Sequence, residues 1–208
     1  MARQRRRRGS IKKPSETKVI ITAGESTMPT PLAHFCVPLV VRELVRHKEV
    51  LPVKLLLVAL FCSVAPDLDV IAFKLGIPYE SEWGHRGFTH SLLFSVFMGL
   101  LFMQLHEYLN AKKLTVFIFI TISWASHGIL DAMTTGGLGI AFFWPLDNTR
   151  YFLPWQVIKV SPIGFGFFSE RGIEVLKSEF YWVVIPSIFI IGIILATRKL
   201  TSNLNAKD

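Results

Sequence analysis

Cysteine is scarce in this chain: Cys36 and Cys62 stand alone among 208 residues, each in apolar surroundings and neither in a Cys-x-x-Cys pair. A disulfide framework and a zinc knuckle are therefore excluded, and two buried free thiols are expected. Charge is sparse as well. Asp, Glu, Lys and Arg make up 18% of the residues against 51% hydrophobic ones, with a mean hydropathy of +0.44, which leaves too little polar surface for an ordinary soluble domain. Embedding in a membrane is the first reading. The first 27 residues also lack a signal-peptide core, because Val19-Ile20-Ile21 is their longest apolar run. No internal repeat is evident.

The formal net charge of +8 is unevenly spread: residues 1–27 hold eight Lys/Arg against Glu16 and Glu25, which leaves only +2 for residues 28–208. A leader with Arg5-Arg6-Arg7-Arg8, Lys12, Lys13 and Lys18 is expected to be disordered. Attraction to anionic lipid is an alternative, an arm for nucleic acid is another, and a true start at Met28 is a third. Membrane lipid is the expected partner, and nucleic acid is not. The chain thus divides into a basic leader at 1–27, a membrane-embedded domain at 28–197 and a polar tail at 198–208.

Beyond the leader the chain reads as helices, an all-α membrane protein with a bundle of about four to five hydrophobic helices. Apolar segments run from Leu32 to Val45, Leu51 to Phe73, Ser91 to His106, Leu114 to Met133 and Phe180 to Ala196. A span needs ~20 residues, so the 114–133 and 180–196 segments qualify cleanly. Shorter ones fit helices that end in a polar cavity inside the protein. Residues 134–179 read as a long irregular loop before the last helix, with a short helix at 170–178, and a loop of that length is expected to be a lid or binding element.

Polar residues fall at the ends of these segments. If successive helices run antiparallel, His34, Asp67, Asp69, His85, His90, His127 and Asp131 meet at one pole. Carboxylates and imidazoles are costly in apolar surroundings unless paired, and a divalent metal accepts both while cancelling the charge. His127 and Asp131, at i and i+4, share a helix face. Asp67 and Asp69 would point about 200° apart on a continuous helix, so either the helix ends near Pro66 or only one of them is a direct ligand. A turn with Asx hydrogen bonds is the alternative for Pro66-Asp67-Leu68-Asp69. His85 lies in a loop between Gly84 and Gly87, where small residues admit a close approach to ion or substrate. Thr89 is expected as the N-cap of the next helix, with His90 in its first turn, where the helix dipole favours a neutral imidazole.

Together, Pro-Asp-x-Asp, His-Arg-Gly-x-Thr-His-Ser and His-x-x-x-Asp, after a Pro-Thr-Pro-Leu-x-His start, resemble the bacterial and archaeal membrane-bound metal-dependent hydrolases described as LexA-regulated or LexA-binding inner-membrane proteins. The resemblance covers about residues 28–197. A more distant similarity runs to zinc-dependent phospholipase C and related helical nucleases. It implies a multi-pass protein of the inner membrane, and a divalent metal, zinc or else manganese, as one or two ions. The implied ligands are His34, Asp67 or Asp69, His85 or His90, His127 and Asp131. No second His-x-x-x-Glu element follows residue 131, so a three-metal site is not expected.

The implied reaction is hydrolysis of a phosphoester or lipid-type substrate by metal-activated water. Asp67 or Asp69 would take the remaining proton, and Arg86 would clamp an anionic group or pair with a nearby carboxylate. Asp147 and Arg150 are expected as an ion pair near the mouth, and Phe142, Phe143, Trp144, Tyr151, Phe152 and Trp155 as an interfacial belt. His47 and His106 belong to the opposite pole. Positive-inside counting puts the metal pole outside the cytoplasm. A non-catalytic metal-binding membrane protein, transporter or assembly factor, is the rival reading, and a regulatory protein centred on the leader is a further one.

Overall fold

The computed structural model describes residues 27–28, 30–45, 50–162 and 170–205. The disordered leader and the position of His47 are expectations that lie outside these residues, apart from Thr27. The fold is a helical bundle: α1 (Pro31–Leu44), α2 (Val53–Cys62), a short α3 (Ile71–Lys74), α4 (Leu92–Phe102), α5 (Lys113–Ala132), α6 (Glu170–Glu179) and α7 (Ile185–Asn205). One antiparallel pair of two-residue strands joins Thr27–Met28 to Ser161–Pro162.

α5 is 20 residues long, and α6 continues through a π-helical stretch, Phe180–Val184, into α7 to give an apolar helix over Glu170–Leu204. Both are long enough to cross a bilayer. A third candidate is bent: α2 and the segment Ala65–Lys74 meet at 41°. The bend has a local cause. Pro66 has no amide proton to donate, and α2 closes at Cys62, after which residues Ala65–Val70 form a 3-10 turn. The short helix expected at 170–178 is α6, and it continues into the last helix instead of standing apart in the loop. Glu170, Arg171, Glu174 and Lys177 mask the amphipathic α6, whose Val175 and Ser178 face inward.

Chain direction follows from two clamps. At one end Glu179 binds Thr30, and at the other Arg198 donates to the carbonyls of Glu43 and Val45, the latter at 2.8 Å. α1 and the long C-terminal helix thus run parallel. The core between α2, α4 and α5 is built from Leu55, Ala59, Phe119, Ile120 and Trp124, and a second cluster joins Ala33, Cys36, Leu130, Ile158 and Val183. Both cysteines are free and buried, as expected. α4 rests directly on α5 at Gly99, where a Cβ would stand 2.9 Å from the Phe117 carbonyl oxygen. Gly99→Val is expected to lower stability by about 1–3 kcal/mol through overpacking, seen as a lower midpoint in thermal unfolding of the detergent-solubilised protein; an unchanged midpoint would contradict so close a helix contact.

Candidate metal centre

Three helix ends and α1 meet where the sequence places its polar residues. The 3-10 turn after α2 delivers Asp67 and Asp69, the loop before α4 delivers His85, Arg86 and His90, the last turns of α5 deliver His127 and Asp131, and the first turn of α1 delivers His34. His34, His85, Arg86, His127 and Asp131 are fully buried and His90 nearly so.

One donor atom from each of Asp67, His90, His127 and Asp131 lies within 4.8 Å of every other. His127 Nε2 is 3.1 Å from Asp67 Oδ1, 3.1 Å from His90 Nε2 and 3.8 Å from Asp131 Oδ2. His90 Nε2 is 3.7 Å from both Asp67 Oδ1 and Asp131 Oδ2. His34 stacks on His127 at 4.0 Å between ring centroids and puts Nε2 3.7 Å from Asp131 Oδ1. The i and i+4 spacing of His127 and Asp131 thus does what helix geometry predicts.

The opposite ring nitrogens are committed to neighbours. His127 Nδ1 donates to the Ser63 carbonyl at 2.8 Å, and Asp69 receives His85 Nδ1 at 2.6 Å and stands 3.2 Å from His90 Nδ1. Asp69 also accepts from the Arg86 amide at 3.2 Å and the Thr89 hydroxyl at 2.6 Å. With protons held on Nδ1, Nε2 of His90 and His127 presents its lone pair to the centre. Asp67 and Asp69 therefore address opposite nitrogens of His90: α2 has ended, and their side chains part.

Arg86 adopts a left-handed backbone, φ 62°, inside the protein. Its Nε lies 3.0 Å from Asp131 Oδ2 and its Nη1 donates to the Gly136 carbonyl at 2.8 Å. Burial works against its charge, yet the fields of Asp131, Tyr79 and Asp67 hold its pKa above the usual value. Burial likewise disfavours a proton on His90, and Asp69, Asp67 and Asp131 reverse that, raising its pKa to about 9: with no ion bound a second proton on Nε2 supplies positive charge, and a cation at Nε2 would replace that proton. Three carboxylates against one guanidinium leave an anionic surplus that calls for further positive charge.

Two expectations about local geometry change. The N-cap of α4 is Ser91, whose hydroxyl accepts from the Phe94 amide at 3.1 Å, while Thr89 turns to Asp69 and His90. The room left by Gly87 is filled by the protein itself, since a Cβ there would stand 2.2 Å from the Glu82 carbonyl oxygen. The expected Asp147–Arg150 ion pair is absent among the described residues. Hydrogen bonds from the Thr149 side chain, the Tyr151 hydroxyl and the Thr149 amide hold the Asp147 pKa below the usual range, and Arg150 donates to the carbonyls of Tyr79, Ser81 and His85. Arg150 is thus a brace behind His85. Its sequence neighbours give no sign of that, nor does sequence spacing reveal the Ser63 and Gly136 carbonyls or the Trp124 indole, which donates to the Thr89 carbonyl at 2.8 Å.

The donor set can hold a divalent cation: imidazole nitrogens and carboxylate oxygens converge, and among the described residues the Asp131 oxygens and the His34 nitrogens lack a well-formed hydrogen bond, although Arg86 pairs with Asp131 Oδ2 and His34 Nε2 stands 3.7 Å from Asp131 Oδ1. Breaking a buried pair leaves an uncompensated charge, so Arg86→Ala is expected to cost about 3–5 kcal/mol. Denaturant unfolding of the metal-stripped protein measures this, and a loss below 1 kcal/mol, the level of an exposed pair, would contradict the assigned role of Arg86 as counter-charge.

Residues 28–201 match the family described as YdjM inner membrane protein. The inner membrane protein YbcI of Escherichia coli (strain K12) is 38% identical over 174 residues, 83% of this chain and 100% of the relative. A Bacillus subtilis (strain 168) protein, YvsG, is 34% identical over 87 residues, 38% of this chain and 51% of its own. No solved structure matches. A family match over most of the chain, joined to bilayer-length helices and this buried polar centre, makes the protein a member of the YdjM inner membrane protein family.

Proposed function

We propose that this membrane protein is a multi-pass, metal-dependent hydrolase acting on a phosphoester or lipid-type substrate. The observation that carries the reading is the convergence of Asp67, His90, His127 and Asp131, from three separate segments, inside an apolar bundle. The motif resemblance to membrane-bound metal-dependent hydrolases supports it. These four residues, with His34 beside them, would hold one or two ions, zinc or else manganese. A bound ion would supply Lewis acidity and a water activated near neutral pH.

The residues of the chain divide the remaining work. His90 and His127 keep Nε2 directed inward because Asp69 and Ser63 hold their other nitrogens. Asp67 is the most exposed carboxylate of the centre, its side chain 19% accessible against 3% for Asp69 and 0% for Asp131. It is placed to take a proton from an attacking water. Asp69, with His85, Arg86 and Thr89 around it, is a positioning residue, and Arg86 balances Asp131. Burial of His34, His90, His127 and Asp131 themselves strengthens each of these electrostatic contacts.

Purified protein loaded with zinc or manganese is expected to hydrolyse at least one member of a panel of phosphodiesters, phospholipids and esters. His127→Ala and Asp131→Ala are expected to reduce turnover to background together with metal content. Stoichiometric metal with no turnover across the panel would overturn the hydrolase reading and favour the transporter or assembly factor.

A further inference from the structure

The imidazoles of the centre are not held alike. His85, His90 and His127 each have Nδ1 fixed by Asp69 or by the Ser63 carbonyl. His34 has neither nitrogen hydrogen-bonded among the described residues. Its place is set by stacking on His127 and by where α1 puts its backbone. What fixes the start of α1 therefore fixes His34.

That anchor comes from 149 residues away in sequence. Glu179, fully buried at the end of α6, accepts from both the backbone amide and the hydroxyl of Thr30, the residue that precedes α1. Thr30 makes no side-chain cap to its own helix. The Glu179 carboxylate instead holds the amide and hydroxyl of the N-cap residue, as the carboxylate of a capping box holds the N-cap amide, and stands at the positive end of the α1 dipole. The helix is built to deliver it. Glu179 and Val183, at i and i+4, share the face turned toward α1, so Glu179 meets Thr30 where Val183 packs on Ala33 and Cys36. An ionisable residue buried within a bilayer-length apolar helix is costly, and its presence there points to a functional rather than a packing role.

We propose that Glu179 is the positioning residue for His34: by gripping Thr30 it locks the first turn of α1, and through it sets the one imidazole that no hydrogen bond orients. The consequence for ion binding rests on the metal-centre reading; the positional claim does not. The C-terminal membrane helix thereby becomes a supporting part of the centre although it contributes no donor to it.

The test separates the two claims by using two readouts on full-length, detergent-purified protein. In chelator-treated samples, diethyl pyrocarbonate labelling read by mass spectrometry reports access to each histidine. Glu179→Ala is expected to raise labelling of His34 several-fold while leaving His127 protected. Arg198→Ala loosens the same two helices at the far pole and is expected to leave His34 protected. Unchanged labelling in Glu179→Ala, or an equal rise in Arg198→Ala, would overturn the proposal. Glu179→Gln keeps an acceptor for the Thr30 amide and is expected to restore protection. Should Glu179→Ala fail to fold, Thr30→Val removes one arm of the grip: a smaller rise at His34 upholds the proposal and none overturns it. The second readout is zinc affinity by chelator competition, expected to fall by about 10–100-fold in Glu179→Ala, the range for lost supporting contacts, with no further loss in Glu179→Ala/His34→Ala beyond that in His34→Ala. If His34 becomes accessible yet the parent protein binds no zinc, the positional claim stands and the metal reading fails.

Discussion

Three carboxylates, Asp67, Asp69 and Asp131, meet in the apolar interior of a helical bundle, and the rest of the structure is arranged around the charge they carry. Asp69 and Asp131 are shut off from solvent and Asp67 only partly open to it, so each needs a donor or a cation. Asp69 is satisfied by the protein alone, through His85, Arg86 and Thr89. Asp131 pairs with Arg86 and stands 3.7–3.8 Å from His34, His90 and His127, and Asp67 meets the Nε2 atoms of His90 and His127. A divalent ion would complete this balance where His90 and His127 already direct Nε2 inward.

The architecture explains why such a centre can exist in a membrane protein. Irregular backbone carries the key residues, and unpaired peptide groups are tolerated at membrane depth only when protein covers them. Here the 3-10 turn after α2 and the loop before α4 are covered by α1, α5 and the segment at 134–160. Side chains supply the missing partners: Arg150 for the carbonyls of Tyr79, Ser81 and His85, and Trp124 for that of Thr89. The clamps Thr30–Glu179 and Glu43/Val45–Arg198 hold the C-terminal helix along α1 at both ends.

Much of this was legible in the sequence. Apolar run length gives α5 and the last helix, and the His127 and Asp131 spacing gives their shared face. Alternating helix direction brings His34, Asp67, Asp69, His85, His90 and Asp131 to the same pole. The hidden parts have physical reasons. Long polar side chains on α6 disguise its continuity with α7: a short helix is legible there, but the apolar run that marks the last helix begins only at Phe180. Thr89 and Ser91 are both good caps in isolation, and only the position of Asp69 decides which one turns away. Glu179 lies 149 positions from Thr30, and neither periodicity nor motif spacing can register a tertiary cap of that kind.

The most direct test of the account is X-ray absorption spectroscopy at the zinc edge of zinc-loaded, detergent-purified protein. The account predicts near-stoichiometric metal with nitrogen and oxygen neighbours at about 2.0–2.2 Å and the multiple scattering of at least two imidazoles. Absence of bound zinc after loading, or a shell of sulfur at about 2.3 Å from Cys36 or Cys62, would contradict it.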